Sequence, residues 1–441
     1  AQSPSLQRVY KAPCPGCGAP IEFRSAQSTH AVCGYCQSTV VRDGETLSRI
    51  GKMAEVFEDY SPLQLYAAGR WSSGGRTRGF SVIGRLQYKT SNGTWSDWQL
   101  AFDDGSTGSL SEDNGSYVLS TPLDLSRGVP DPAALIVGRT TAFNGVSYQV
   151  TANDRAVLIS ALGELPKLPP LGQEFDVVEL RNADGQVLSL DGSQQPAVAS
   201  LGTEVALDDL KLTGIKDQSS KEEKEGKGRQ FNCPNCGSPV QVTLETSKTV
   251  TCGSCHSLID LSQGIGGELR HAVQDEPVRP LIAVGSTGEL QGTPWQVVGF
   301  QHRMGHEPGD DEHFGWSEYL LYNTRKGFCF LVDSEEGWSL VRPTAGAPMT
   351  TSTRQSATYQ GKRFERKYQY EAETVYVSGE FYWPVVRGQK TSNIDFANGK
   401  NLLSLEQSPK ELTWSVGTQM DAAVVAKAFG LGTQSDLFKR G

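Results

Sequence analysis

A chain of 441 residues, 37% hydrophobic and 21% charged, has the composition of a soluble globular protein and room for about three ordinary domains. No stretch approaches the roughly 18 uninterrupted apolar residues that carry a helix across a bilayer, so no transmembrane helix is expected. Fifty acids against 41 bases give a formal charge of −9, which argues against a nucleic-acid protein, because phosphate contacts need clustered Lys and Arg.

The first residues, AQSPSLQRVYKAP, lack the apolar core that directs export, and a cytoplasmic chain is expected. The phrase CPGCGAPIEF follows, with Cys14 and Cys17, and a second pair, Cys33 and Cys36, arrives after fifteen residues. Such a phrase forms a knuckle: two thiolates turn toward one metal, and Gly18 allows the left-handed backbone that closes the loop. APIEF leaves the first knuckle as a strand and HAV leads into the second, so residues 1–50 read as a zinc ribbon. Residues 51–213 read as a β domain. SVIGRLQYKT alternates apolar and polar residues, SNGTWSDWQLAF offers an Asn-Gly hairpin turn, and RAVLISALGEL reads as two short strands around a Gly-Glu turn.

Residues 214–229 contain no aromatic residue and only one aliphatic, so this acidic and basic run reads as a flexible linker. CPNCGSPVQV then repeats the opening phrase. Cys233 and Cys236 are again followed after fifteen residues by Cys252 and Cys255, defining a second ribbon over 230–262. The likeness continues beyond the cysteines: WSDWQLAF is answered by WSEYLLYN, ALGELPKLPPLGQ by VSGEFYWPVVRGQ, and VLSLD by LLSLE. The chain is therefore one unit written twice, with a second β domain over 263–441 that ends in the amphipathic stretch TQMDAAVVAKAFGL, read as a short helix. The fold class expected is all-β: two zinc ribbons and two small β-barrel or sandwich domains in tandem duplication, with a short C-terminal helix.

Cys14, Cys17, Cys33 and Cys36, and Cys233, Cys236, Cys252 and Cys255, are the expected ligands of two structural zinc ions. Iron held as in rubredoxin is the alternative metal. Four thiolates leave no open coordination position, and His256 beside Cys255 is set aside as a fifth ligand. The stretch HRMGHEPGDDEH holds His302, His306 and His313 among acids that can bind a divalent metal, but it reads as a solvated hairpin loop. Cys329 reads as a buried, inert thiol. Gly163-Glu164 and Gly379-Glu380 recur in both copies, either as a duplicated acid or as turn residues. No nucleophile elbow, phosphate loop, HExxH or dinucleotide fingerprint occurs, and no enzyme is expected.

FSVIGRLQY, WSDWQLAFDDGSTGSLSEDNGSYVL, WSEYLLYN, GEFYWPVVRGQ and LLSLEQSPKELTWSVG together resemble the bacterial proteins catalogued as domain of unknown function 4178. The first copy's ending, EVALDDLKL, departs from that pattern. The resemblance implies no reaction. It implies a setting in membrane stress or envelope maintenance, beside genes for phage-shock-A-like membrane-remodelling proteins, small membrane proteins and spermidine-synthase-like enzymes.

The expected function is a non-enzymatic zinc-binding scaffold or adaptor for partner proteins, membrane-remodelling or small membrane proteins among them. Its expected place is the cytoplasm, with peripheral association at the inner membrane face allowed. A nucleic-acid-binding ribbon protein is the first alternative, although residues 1–50 carry only five bases against three acids and residues 229–262 two against two. An enzyme acting on a small ligand is the second, and it calls for an enclosed pocket lined by equivalent acids from both copies.

Overall fold

The computed structural model describes residues 10–43, 46–52, 61–216, 229–244, 247–262, 269–275 and 277–432. Most of the expected linker, residues 217–228, lies outside them. In each copy two four-strand meanders meet edge to edge at both sides, closing an eight-strand antiparallel barrel. In the first copy the ring runs Arg76–Thr90, Gly93–Phe102, Thr107–Asp113, Ser116–Leu123, Val198–Glu204, Gln186–Asp191, Glu174–Arg181 and Val146–Leu165, which pairs back with Arg76–Thr90. In the second it runs Thr293–His306, His313–Asn323, Gly327–Ser334, Gly337–Pro343, Leu412–Met420, Asn401–Gln407, Lys390–Asn398 and Lys362–Phe381, closing again on its first member. The barrel alternative of the sequence reading is the one realised.

Strand alternation sends successive side chains to the lumen and to the outer face. Here the outer face is apolar and buried as well. Trp98, Leu100, Leu110 and Leu119 point outward and are covered by Leu63, Ala67 and Leu210 from segments flanking the barrel. In the second copy Tyr319, Leu321, Leu331 and Trp338 are covered by Ile282 and by Val425 and Ala426 of the helix Ala422–Ala428. Leu210, in the 3-10 turn Leu207–Leu210, takes in the first copy the place that Val425 takes in the second, so the divergent EVALDDLKL ending retains its packing role. The lumens are mixed, holding buried acids beside apolar and aromatic side chains such as Leu86, Tyr88 and Phe175 in the first barrel and Trp316 and Tyr370 in the second. Asp97, Glu179 and Asp191 face inward in one barrel, and Glu318, Asp395 and Glu406 occupy the matching positions in the other.

The remaining outer faces cover each other. Tyr148, Val178, Leu180, Leu188, Leu190 and Ala199 of the first barrel join Phe364, Ile394, Phe396, Leu403, Leu405 and Trp414 of the second in one apolar cluster. These are the same positions of the repeat, met from both sides. Polar contacts seal the rim: Trp414 Nε1 donates to Gln149 Oε1 at 2.8 Å, Asn153 N to Lys410 O at 3.0 Å and Ala347 N to Asn182 O at 2.9 Å.

Three local expectations are corrected. The Gly-Glu pairs make no turn, because Val146–Leu165 and Lys362–Phe381 are single strands of 20 residues. Pairing with neighbouring strands continues past the glycines although Gly163 and Gly379 take left-handed φ of 66° and 80°. The helix is shorter than the stretch read for it, at seven residues, because Thr418, Gln419 and Met420 complete a strand. His302, His306 and His313 stand on strands rather than in a loop, with His306 directly opposite His313.

Candidate metal centres

Each ribbon brings four sulfurs together. Cys14 and Cys36 Sγ are 3.7 Å apart, as are Cys17 and Cys33, and the second ribbon repeats the value at Cys233–Cys255 and Cys236–Cys252. Within each set all four atoms lie within 4.8 Å of one another. A tetrahedron with metal–sulfur bonds of about 2.3 Å has edges of about 3.8 Å, so the donors are spaced for a metal, whereas a disulfide needs about 2.05 Å. Tetrahedral four-sulfur coordination suits both zinc and iron.

The knuckles follow from local backbone chemistry. Cys14 N donates to Ala19 O at 2.7 Å, Gly18 N to Cys14 O at 2.8 Å, and Gly18 and Gly237 close their loops at φ of 80° and 74°. In the second knuckles that left-handed corner belongs to Gln37 and His256, at φ of 52° and 60°, so His256 serves the loop through its backbone. Gly16 N lies 3.3 Å from Cys14 Sγ and Ser254 N 3.4 Å from Cys252 Sγ, donors that stabilise sulfur charge. The Ser38 hydroxyl, 3.1 Å from Cys36 Sγ, brings that thiol down to about 6, and Ser257 brings Cys255 down to about 5. Both are thus poised to ligate as thiolates.

The ribbons are built into the barrels. The strand His30–Val32 continues the barrel sheet by pairing with Gly163, Glu164 and Leu165, and Thr249–Thr251 pairs likewise with Glu380 and Phe381. The glutamate of each Gly-Glu pair then reaches across to the first knuckle's hairpin. Glu164 Oε1 accepts from Arg24 N at 2.5 Å and from Ser25 N at 3.1 Å. Glu380 accepts from Thr243 N and Leu244 N, each at 3.0 Å, and from the Ser247 hydroxyl at 2.8 Å. The recurring acid is a clasp between modules. The repeat itself signalled it in the sequence, but its partners lie about 135 positions away and only the fold identifies them.

Among the described residues, these are the only two groups that bring three or more His, Cys, Asp or Glu donors together. His306 and His313 have ring centroids 5.2 Å apart, and His306 Nε2 is 3.9 Å from Glu371, a looser arrangement on the outer face of the second barrel. Cys329 is fully buried, and burial pushes its thiol up to about 12, which keeps it protonated and inert. The lumen acids meet bases. Arg303 Nη1 lies 2.6 Å from Glu406 and 3.6 Å from Glu318, and Lys167 Nζ contacts Asp191. The equivalent acids of the two copies therefore line two separate lumens rather than one shared pocket.

A family model described as domain of unknown function (DUF4178) matches residues 76–207 and 283–422, each match opening after a ribbon. No curated protein and no solved structure matches the chain.

Proposed function

The chain belongs to the family described as domain of unknown function (DUF4178), and from that premise we propose that it is a non-enzymatic, zinc-dependent scaffold that binds partner proteins. The observation that carries the reading is the attachment of each four-thiolate centre to its barrel through a shared sheet and a buried carboxylate. A metal held by four thiolates keeps no open position for substrate, so its service is to fix the surface around it. The pairing of lumen acids with Arg303 and Lys167 supports the same reading, since those carboxylates are already engaged in structural ion pairs. Membrane-remodelling and small membrane proteins, the neighbours implied by the family resemblance, are the partners to test first, at the cytoplasmic face of the inner membrane.

Affinity purification of the full chain from its native cells, with and without membranes, tests the scaffold. A stoichiometric partner that is lost when chelator strips the metal is the expected result, and recovery of no partner under either condition overturns it. Elemental analysis tests the metal: two zinc ions per chain are expected, and iron, or fewer than two tightly bound ions, overturns that assignment.

A further inference from the structure

We propose that the cleft between the first ribbon and the outermost strands of the first barrel is a docking groove for an extended acidic peptide segment of a partner protein. This deepens the scaffold reading and rests on it. The cleft holds about 510 Å3, within the size range of specific binding sites. Its floor is made of small residues that face the ribbon, Ala68, Gly79, Ser81 and Ala101. Its rim is charged, with Lys11, Glu22 and Arg24 on the ribbon and Arg70 and Asp103 on the barrel.

The rim acids are already engaged. Glu22 Oε1 is 2.5 Å from Lys11 Nζ, Glu22 Oε2 is 3.6 Å from Arg24 Nη2, and Asp103 Oδ2 accepts from Gly79 N at 3.0 Å. The cations are not exhausted. Arg70 is exposed and has no carboxylate partner among the described residues, and the part-exposed Arg24 guanidinium, 3.6 Å from Glu22, stacks 3.9 Å above the Tyr66 ring. The cleft therefore offers an anion two arginines on opposite walls.

Its open side is a strand edge. Ala68–Ser73 pairs on one side with Arg76–Thr90, and on the other makes a single bridge, between Ala68 and Thr213. Outward-pointing backbone groups recur at every second residue of an antiparallel strand, so those of Arg70 and Ser72 also face outward. A strand added there would place alternate side chains over the floor, the backbone giving affinity and the arginines selecting carboxylates. The second copy lacks these charges: Gln230, Gln241, Thr243 and Glu289 stand where Lys11, Glu22, Arg24 and Arg70 stand in the first. The groove belongs to the first copy alone.

Fluorescence anisotropy with a fluorescein-labelled hexaglutamate peptide and the zinc-loaded full chain tests this. Binding at low salt is expected to weaken by about tenfold or more in Arg70→Glu and in Arg24→Ala, and to stay unchanged in the exposed-loop control Arg127→Ala. Arg70 is exposed, so Arg70→Glu should keep the wild-type thermal transition. Equal binding of a hexaglutamine peptide, unaltered binding in Arg70→Glu, or displacement by inorganic phosphate at the peptide's own concentration each overturns the assignment, the last pointing to a small anion. Partner recovery from native cells by wild type and Arg70→Glu alike would remove the groove and leave the scaffold standing. Recovery by neither would remove the scaffold, and the peptide titration would still decide the groove.

Discussion

Glu164 and Glu380 each turn a nearly buried carboxylate onto main-chain N–H groups of a neighbouring module, and their removal would leave those donors unpaired. Glu380→Ala is expected to destabilise the chain by about 2–4 kcal/mol in urea unfolding, with Glu380→Gln costing less because one acceptor remains. The two four-cysteine clusters were legible from spacing alone, because a knuckle is a local structure. The clasp was not, because a glutamate beside a glycine carries no local sign of an acceptor's distant donors. The same limit hid the lumen charges. Burial pushes the Lys167 ammonium down from 10.5 to about 8, against the opposing pull of nearby Asp97 and of its ion-pair partner Asp191. Between those values the unfolded chain binds more protons at this site than the folded one, so stability should rise with pH across that window. Unfolding midpoints measured through it should rise less in Lys167→Met than in wild type.

At the scale of elements, the two 20-residue strands join each barrel to its ribbon, and each passes its neighbour where side chains have no room. Gly84 pairs with Gly163, and Gly299 with Gly379. A Cβ on Gly84 would stand 1.8 Å from Glu164 O, and one on Gly299 2.5 Å from Glu380 O. Gly299→Ala is expected to cost more than about 3 kcal/mol by urea unfolding, a strain larger than most single substitutions produce. The Thr90–Gly93 hairpin was readable from its local Asn-Gly signal, although the two turn residues are Ser91 and Asn92, with Gly93 already on the returning strand. The Gly-Glu sites misled for the opposite reason: the glycines answer to a strand crossing from elsewhere in the chain. Because the ribbon strands extend the barrel sheets, a metal held by the cysteine clusters would be coupled to the barrel. Structural zinc contributes roughly 10–16 kcal/mol in isolated fingers. Chelation should therefore lower the thermal midpoint of the barrels as well as unfold the ribbons, with both followed by circular dichroism.

At the scale of the whole molecule, the tandem repeat was plain in the sequence, but the meeting of its halves was not, since outward and inward apolar strand faces look alike in a periodic pattern. The Trp414 side chain sits in the shared core with its indole N–H engaged across the boundary. Trp414→Ala is expected to cost about 3–5 kcal/mol and to split one unfolding transition into two, visible by calorimetry. The shared core has a consequence for how the copies could change. Two copies of one separate chain meeting through such a face would depend on their concentration and could not diverge from each other. Joined in one chain, the halves meet at a high effective concentration whatever the expression level. Either half can then lose a feature that its twin retains. Ala199 where Trp414 stands, Tyr88 where Arg303 stands, and a charged cleft beside only one ribbon are the marks of that freedom. A single chain lets the two halves diverge in such features while the core that they share stays intact.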